Sequence, residues 1–522
     1  MPKKANVIDL LVDVGRELLG GTRNSTRKHG RKVRGPVIES VDPVVNSVGV
    51  EIPVTIRGRH LRGVTRVLFG DVPAVITGRE GSTTIMVTAP ALSEFEQDSE
   101  GPLGVAVTVE TGDECGCHTG LGSEPLTFTY ERNIPEPAFQ LQSILPLTEQ
   151  PETPDPSAEF GTSLALSADG NILAVGAPGD DGDEGATYMY QRSGPAWSFL
   201  QKIQRRSSTA GSQEGFSVAL SGDGNTLAIG RPNDIFGIGI VDIYARASTG
   251  WLIEESLGVL NPRAPRIRLG HSVALSQDGR TLVAGAPGGL DGGAGYIFTK
   301  GLDDVWSDGI PLVGESSPDA RQGTSVSIST DGRTVLIGAP GDGAVDPERP
   351  SGSVFVWVLR DTWTFASKLE IPAQTADEVS AVGTSVSLSL RGDAIVGSRG
   401  AVGVFTRLGL IMWSSPFVIT ENPQTTPPNT EFGTTVVALD DNSLATGIGK
   451  TAGNNRVVIY NRDPVSGDWV QDPVVGVNLT EPIPTYGLAL AVSRGVGEVA
   501  PSTLAVGAPG ASGTGRVFVY AR

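Results

Sequence analysis

The sequence predicts an all-β protein, in which a β-sandwich of about a hundred residues precedes a larger domain of repeated four-stranded sheets. Two observations predict this class. Glycine (69) and proline (36) are abundant in the 522-residue chain, and both residues interrupt helices and favour tight turns. Short apolar runs alternate with these turns, as is typical of strands. With 39% hydrophobic and 19% charged residues, the composition excludes wholesale disorder.

The charge of the chain is unevenly distributed. The formal net charge is -18, so the main body repels phosphates and is a poor partner for nucleic acid. Residues 1–35 instead carry nine basic against three acidic side chains. Within them, apolar residues at helical spacing over 6–19 predict a short amphipathic helix followed by a basic linker. This segment is either a frayed terminus or a docking peptide that anchors the protein. No apolar run is long enough for a transmembrane span, and no ordinary secretory signal peptide is evident.

Residues 36–132 alternate β-rich runs with glycine turns. The ordered motifs are Pro36-Val-Ile-Glu-Ser-Val-Asp-Pro43, Val54-Thr-Ile-Arg-Gly58, Val67-Leu-Phe-Gly70, Ala89-Pro90 and Phe128-Thr-Tyr130. This order resembles the IPT/TIG family of immunoglobulin-like domains, and the resemblance implies an Ig-like β-sandwich. Cys115 and Cys117 are too few for a disulfide framework or a four-ligand zinc site, even with the adjacent His118. Their chemical state stays undetermined by the sequence.

Residues 160–522 repeat with a period of 50 to 60 residues. Seven glycines mark the repeats: Gly161, Gly215, Gly270, Gly323, Gly383, Gly433 and Gly487. Each unit reads as a strand, a tight turn, a strand ending in a Gly-Ala-Pro-like corner, a glycine loop and two further strands. One four-stranded sheet cannot bury both of its faces, so the units must pack against one another. The repeats therefore predict a seven-bladed β-propeller.

The segment before the repeats completes the predicted ring. Residues 133–159 form a linker rich in proline and glutamate, but Phe139–Leu145 alternates like a strand. The seventh unit ends at Arg522 without a fourth strand. We expect the segment 139–145 to supply that strand beside 517–520, which closes the ring and removes an exposed sheet edge.

The repeated units resemble the FG-GAP repeats of integrin α-subunit heads. Phe160-Gly161 with Gly176-Ala-Pro178, and Tyr486-Gly487 with Gly507-Ala-Pro509, carry the likeness. In many such propellers calcium is bound between the first two strands of a blade. Here that connection holds a single carboxylate, as in Ala168-Asp-Gly-Asn171, which is too few for Ca²⁺. Asp-Gly instead suits a tight hairpin turn.

Two other clusters are candidate sites. Asp180, Asp181, Asp183 and Glu184 follow the first Gly-Ala-Pro corner, and their carboxylates are candidate ligands of a Ca²⁺ ion; the alternative is a solvated acidic loop. Arg391, Gly392 and Asp393 spell the tripeptide that integrins recognise, which makes them a candidate binding motif. The alternative is a structural turn, because the tripeptide occupies the hairpin position that Asp-Gly fills in units one to four.

Catalytic motifs are not evident in the sequence, so we predict a non-enzymatic recognition or adhesion protein. Its propeller would present a loop-lined face to a protein or glycan on a host or neighbouring surface. The protein would act either at a cell surface or on the surface of a virus or phage particle. On a particle, residues 1–35 would dock it in the capsid. Two other classes stay open: a hydrolase or lyase built on the propeller scaffold, and DNA binding through the sandwich and its basic tail.

Overall fold

The computed structural model describes residues 36–42, 45–46, 52–90, 103–111, 123–130, 139–146, 155, 157–205, 211–259, 266–289, 292–343, 351–372, 380–420, 432–448, 456–464, 466–471, 485–493, 503–511 and 513–521. The predicted N-terminal helix, Cys115 and Cys117 lie outside these residues. The chain divides into two compact units, residues 1–134 and 135–522, and each unit is described by itself.

The first unit is an Ig-like arrangement of strands around one core. Its elements are β1 (Val37–Asp42), β2 (Val45–Asn46), β3 (Ile52–Arg59), a 3-10 turn (Leu61–Gly63), β4 (Val64–Phe69), β5 (Val72–Glu80), β6 (Thr84–Ala89), β7 (Leu103–Thr111) and β8 (Leu126–Tyr130). The strand order is β1-β3-β6-β5-β4-β7-β8-β2. Alternate residues of β6 are buried, and the rings of Phe69 and Phe128 meet edge to face at 5.0 Å.

In the second unit the described residues form seven four-stranded antiparallel sheets, which are the blades of a β-propeller. Blades 1 and 2 contain β10 (Ser163–Leu166), β11 (Ile172–Ala177), β12 (Ala186–Ser193) and β13 (Ala196–Ile203), then β14 (Ser217–Leu220), β15 (Thr226–Arg231), β16 (Ile240–Ala247) and β17 (Gly250–Leu257). Blades 3 and 4 contain β18 (Ser272–Leu275), β19 (Thr281–Ala286), β20 (Ala294–Thr299) and β21 (Ile310–Leu312), then β22 (Ser325–Ile328), β23 (Thr334–Ala339), β24 (Ser353–Leu359) and β25 (Trp363–Leu369).

The remaining blades are built in the same way. Blades 5 and 6 contain β26 (Ser380–Leu388), β27 (Ala394–Arg399), β28 (Ala401–Phe405) and β29 (Phe417–Thr420), then β30 (Phe432–Ala438), β31 (Ser443–Ile448), β32 (Arg456–Arg462) and β33 (Trp469–Gln471). Blade 7 contains β34 (Ala489–Ser493), β35 (Thr503–Ala508), β36 (Arg516–Ala521) and, from upstream, β9 (Gln140–Pro146). Two helical turns, α1 (Asp180–Asp183) and α2 (Asp234–Gly237), follow the second strands of blades 1 and 2.

A pair of glycines packs at every interface between neighbouring blades. A Cβ placed on Gly176 of blade 1 would lie 1.9 Å from the carbonyl oxygen of Gly215 in blade 2, and the same pair recurs around the ring. The last pair joins blade 7 to blade 1, where a Cβ on Gly507 would lie 2.1 Å from the oxygen of Gly161. This backbone contact leaves no space for a side chain. The repeated glycines of the sequence are therefore the points where blades touch.

The strand upstream of the repeats closes the ring. β9 pairs antiparallel with β36, with Leu145 opposite Val517. Blade 1 follows β9 in the chain, and before its first strand Phe160 forms a parallel bridge with Gly515 of blade 7. Because the first and last parts of the unit share one sheet, β9 covers the outer edge of β36 and the two ends of the unit hold each other.

Two opposite faces of the propeller follow from its antiparallel strands. We call the four strands of each blade A to D in the order of the sheet, from A inside to D outside. The loop face carries the B–C loops, such as 178–185 and 232–239, and the connections to the next blade. The hairpin face carries the A–B hairpins, such as 167–171, and the C–D hairpins, such as 406–414.

Tight turns on the hairpin face use the Asp-Gly sequences. In blade 1 the side chain of Asp169 accepts a hydrogen bond from the backbone N–H of Asn171 at 3.0 Å and another from the hydroxyl of Ser167. Gly170 takes a positive φ of 68°. Burial by itself raises the pKa of Asp169, but these hydrogen bonds outweigh it and the pKa lies below its ordinary value. The carboxylate thus serves the turn.

Candidate recognition site

Among the described residues, three blades place a buried aspartate at the start of the B–C loop, on the loop face. These aspartates are at most 3% exposed, and a buried carboxylate needs a partner that offsets its lost hydration. Each has a basic side chain in its own blade. The pairs are Asp180–Lys202 at 2.9 Å, Asp234–Arg231 at 2.6 Å and Asp342–Lys368 at 2.8 Å.

The four acids predicted as Ca²⁺ ligands are not brought together as one ligand set. Asp180 accepts hydrogen bonds from Tyr188 Oη at 2.7 Å and Lys202 Nζ at 2.9 Å, so an ammonium group supplies the positive charge beside it. Asp183 and Glu184 instead use their backbone carbonyls to accept N–H groups of the next connection. Across the described part of the chain, no three His, Cys, Asp or Glu side chains are grouped so as to hold a metal ion. The folded loop therefore does not present these acids as one ligand set, and the following experiment tests whether it binds calcium.

Calcium is expected to leave the thermal stability of the protein unchanged, whereas Lys202→Met is expected to lower it. The substitution leaves Asp180 with an uncompensated buried charge, which costs about 3 to 5 kcal/mol. The measurement is the melting temperature of both proteins with added Ca²⁺ and with a chelator. A melting temperature of the unsubstituted protein that rises with Ca²⁺ would contradict the assignment, since a ligand of the folded state stabilises it.

Blade 4 shows the same corner in its simplest form. Asp342 accepts hydrogen bonds from Ser353 Oγ at 2.7 Å, Lys368 Nζ at 2.8 Å and the backbone N–H of Ser317 at 2.9 Å. Burial by itself raises the pKa of Asp342, but these bonds outweigh it and hold the pKa below its ordinary value. The charged carboxylate therefore fixes the loop corner to strands C and D of the same blade.

In blade 2 the corner becomes a buried network of several charges. Arg231 stands where blades 1, 3 and 4 have alanine, and its guanidinium is 2.9 Å from Asp242 and 2.6 Å from Asp234. A second cation, Arg205, lies 3.0 Å from Asp242. Two arginines thus face two aspartates; Arg231 and both aspartates are buried, whereas the side chain of Arg205 is 46% exposed and reaches them from the surface. The network ties strands B and C to the connection that leads from blade 1.

Glu214 borders this network and has an unusual protonation state. It is fully buried, and its Oε2 accepts the backbone N–H of Arg205 at 2.7 Å. Its Oε1 has no hydrogen-bond partner among the described residues. Burial raises the pKa of Glu214 to about 8, although the Arg205 hydrogen bond and Arg231 oppose the rise. At neutral pH the side chain is therefore mainly protonated, and the four charges beside it balance.

Above the network the B–C loop of blade 2 presents an apolar tip. Phe236 is 83% exposed, and Ile235 is also exposed. Both residues have left-handed backbone, with φ of 58° and 47°. For residues other than glycine this conformation costs roughly 1 to 2 kcal/mol each. In blade 1 the position of Phe236 is occupied by Gly182, and glycine adopts this left-handed conformation freely.

The strained conformation of this tip is held from below. The carboxylate of Asp234 accepts the backbone N–H of Ile235 at 2.8 Å while its other oxygen binds Arg231. The backbone carbonyls of Gly237 and Ile238 accept N–H groups of the following connection, both at 2.9 Å. The loop is therefore pre-formed, and its exposed aromatic ring is presented without rearrangement.

The tripeptide Arg391-Gly392-Asp393 forms the A–B hairpin of blade 5. The backbone N–H of Arg391 donates to Asp441 of blade 6 at 2.7 Å. Asp393 is only 5% exposed, and its carboxylate accepts the backbone N–H of Arg407 at 2.7 Å. The guanidinium of Arg391 also lies 3.4 Å from Asp441 Oδ2, so both charged side chains have structural partners. Recognition through this tripeptide stays a prediction, and it would require Asp393 to leave its buried position.

His271 is the histidine that the sequence places inside the propeller. It packs against Phe216, with the ring centres 4.9 Å apart, and its Nδ1 lies 3.2 Å from the carbonyl oxygen of Thr324. Burial and, to a lesser degree, Arg268 lower the pKa of His271 to about 4. The ring is therefore neutral at pH 7 and packs between blades.

Sequence reasoning missed Arg231 and Phe236. Both could have been found by aligning the seven units and noting departures from the shared pattern. Arg231 replaces the small alanine of the Gly-Ala-Pro corner, and Phe236 replaces the glycine of the loop. A change from a small or flexible residue to a bulky one is a signal because the shared fold does not require it.

Comparisons with known proteins identify the first unit. Residues 36–130 match the IPT/TIG domain family. None of the curated proteins matched the chain. Among solved structures, the periplasmic gluconolactonase of Pseudomonas aeruginosa is similar at 16% sequence identity and a TM-score of 0.43, covering 78% of this chain and 95% of that chain. A likeness this low carries no conclusion about activity. No helix among the described residues is long and apolar enough to cross a membrane.

Proposed function

We propose that the chain is a non-enzymatic recognition protein that binds a partner protein at the loop face of blades 1 and 2. Phe236 carries the proposal, because a large apolar ring is held in solvent on a backbone conformation that glycine would adopt more cheaply. Exposed, rigid aromatic side chains are typical anchors of protein interfaces. A protein partner is favoured over a glycan because Phe236 and Ile235 offer apolar surface and no hydrogen-bonding group.

The ion network beneath the tip supports this function physically. A pre-formed loop loses little conformational entropy on binding, so more of the contact energy appears as affinity. The IPT/TIG unit and the propeller together are compatible with binding or adhesion. We further propose that the propeller is of the FG-GAP type, and that the protein acts at a cell surface or on a virus or phage particle, anchored through its N-terminal region.

Crosslinking from position 236 tests the proposed site. The full chain, with the photoreactive aromatic residue benzoylphenylalanine in place of Phe236, is exposed to purified envelope or particle preparations and illuminated. We expect one protein adduct, which the unsubstituted chain competes away. The variant Phe236→Gly should compete at least tenfold less well, the loss of a typical anchor, while its melting temperature stays the same or rises because the backbone strain is relieved.

The control places the same photoreactive residue at Leu302, which is fully exposed on the opposite, hairpin face. Adducts of equal yield from position 302, or equal competition by Phe236→Gly, would count against the loop-face site. If adducts form only on a glycan array, the partner is a carbohydrate and not a protein.

A further inference from the structure

The C–D hairpins of blades 3 and 5 share the residue pairs that close them, which we call the frame; the turns inside it differ, because Asp304 of blade 3 has a positive φ of 61° and residues 408–412 of blade 5 have none. Five residues are enclosed between Lys300 and Trp306 in blade 3 and between Arg407 and Trp413 in blade 5. The frame is closed by the same backbone hydrogen bond, 2.8 Å long in blade 3 and 2.9 Å in blade 5. A serine hydroxyl after each tryptophan accepts a threonine N–H at 3.0 Å. The two hairpins are therefore natural variants of one another.

The tips of these hairpins differ in chemistry. In blade 3 the enclosed residues are Gly-Leu-Asp-Asp-Val, whereas in blade 5 they are Leu-Gly-Leu-Ile-Met. The four large apolar side chains of the blade 5 tip are all exposed: Leu408 by 64%, Leu410 by 54%, Ile411 by 41% and Met412 by 61%. The shared frame tolerates acids at this place, so folding does not require the apolar tip.

The blade 5 tip is also rigidly supported. The guanidinium of Arg407 donates to the carbonyl of Gly409 at 3.0 Å and lies over the ring of Trp413 at 5.6 Å. The indole N–H of Trp413 donates to the carbonyl of Gly392 at 3.3 Å. Asp393 accepts the backbone N–H of Arg407. The Arg-Gly-Asp hairpin therefore braces the base of the apolar tip.

We propose that the tip Leu408–Met412 inserts into the outer layer of a lipid bilayer and attaches the hairpin face to it. An aliphatic tip above one arginine and one tryptophan is the pattern of an interfacial membrane contact, in which the tip enters the acyl region and the base stays among the headgroups. A protein-binding anchor would instead concentrate aromatic or arginine side chains at the tip, because leucine is under-represented among interface hot spots.

The charge of the protein selects the lipid. Exposed aspartates stand at the A–B hairpins of blades 1 to 4, on the same face as the tip; they are Asp169, Asp223, Asp278 and Asp331, and Arg280 and Arg333 stand beside the last two. The whole chain carries a net charge of -18, so an anionic membrane repels the protein. The occupant is therefore a bilayer with zwitterionic headgroups. One tip of this size supports weak, reversible attachment, comparable to the roughly 10⁴ M⁻¹ of a single acyl chain.

Flotation of the full chain with phosphatidylcholine vesicles tests this attachment. The variant Leu410→Asp/Ile411→Asp copies the acids that blade 3 carries in the same frame, so it should fold with an unchanged melting temperature. We expect the unsubstituted protein to float with the vesicles and the double variant to bind at least tenfold less. Leu302→Asp in the blade 3 hairpin is the matched control and should bind like the unsubstituted protein.

Three results would overturn the proposal. The first is no flotation of the unsubstituted protein with phosphatidylcholine. The second is an equal loss of binding in Leu302→Asp and in the double variant. The third is self-association without vesicles that the double variant abolishes, because a second copy of the chain would then cover the tip. Weaker binding to vesicles that also contain phosphatidylserine is expected, and stronger binding would overturn the choice of a zwitterionic surface. The outcome is independent of the loop-face proposal, since the two sites lie on opposite faces.

Discussion

Replacing Gly507 with alanine is expected to lower the free energy of unfolding by about 3 kcal/mol or more, the upper end of the cost of overpacking. The added Cβ would lie 2.1 Å from the carbonyl oxygen of Gly161, and a backbone atom cannot turn aside as a side chain can. The overlap is relieved only if blade 7 moves away from blade 1. Chemical denaturation of the full chain measures the loss.

Gly258 provides the matched control for this substitution. It has no heavy atom within 4 Å of the position its Cβ would take, so Gly258→Ala should be neutral or stabilise by up to about 1 kcal/mol. Equal effects at the two positions would show that the loss comes from the glycine itself and not from the contact between blades. Steric contact between blades would then not explain the glycines that recur around the closed ring.

Glu214→Gln is expected to stabilise the protein increasingly as the pH rises. The pKa of Glu214 is about 8 in the folded protein against an ordinary value of 4.5. Below pH 4.5 both states hold the proton and the stability contributed by the group is complete. Between pH 4.5 and 8 the unfolded chain releases the proton first, so that contribution is lost. Glutamine has no proton to release, so the advantage of the variant grows over this window to at most about 5 kcal/mol.

Blade 4 supplies the reciprocal experiment, because Gln322 occupies the position of Glu214. Its Oε1 accepts the backbone N–H of Gly314 at 2.8 Å and its Nε2 donates to the carbonyl of the same residue at 2.9 Å. Gln322→Glu removes this donor and buries an acid, so stability should fall and the deficit should grow with pH. Urea denaturation at several pH values between 4 and 9 measures both variants. A difference from the unsubstituted protein that does not change with pH would contradict the buried-acid assignment.

The propeller could be predicted from the sequence because the close contact between blades determines the spacing of the glycines. Each interface between blades requires a glycine on both sides, so glycine recurs at intervals of one blade. The alternation of Phe139–Leu145 likewise predicts a strand, and its pairing follows from the strand that unit seven lacks. The Arg-Gly-Asp hairpin could likewise be predicted, because its glycine takes the turn position that glycine takes in the A–B hairpins of blades 1 to 4. Its Gly392 N–H donates to the carbonyl of Ser389 at 3.1 Å, as Gly170 does to Ser167 at 2.9 Å in blade 1.

The candidate sites were less accessible to sequence reasoning. The acids of residues 180–184 predict a metal site only if their side chains converge. The partner that prevents this, Lys202, lies two strands away in the sheet. The buried network of Arg231 and the support of the tip 408–412 by Asp393 also join residues from different strands or hairpins. Such pairings depend on the register between strands, which composition and spacing do not report.

The sequence by itself determined the class of the protein: an IPT/TIG-like sandwich, seven repeated sheets and a strand upstream that completes the last of them. These features follow from local requirements, namely turn residues, alternating burial and glycine at close contacts. Only the tertiary structure decided which charges are neutralised internally, which residues carry backbone strain and which apolar side chains remain exposed. Those properties depend on distances between residues far apart in the chain, and they arise when the sheets pack and water is excluded from between them.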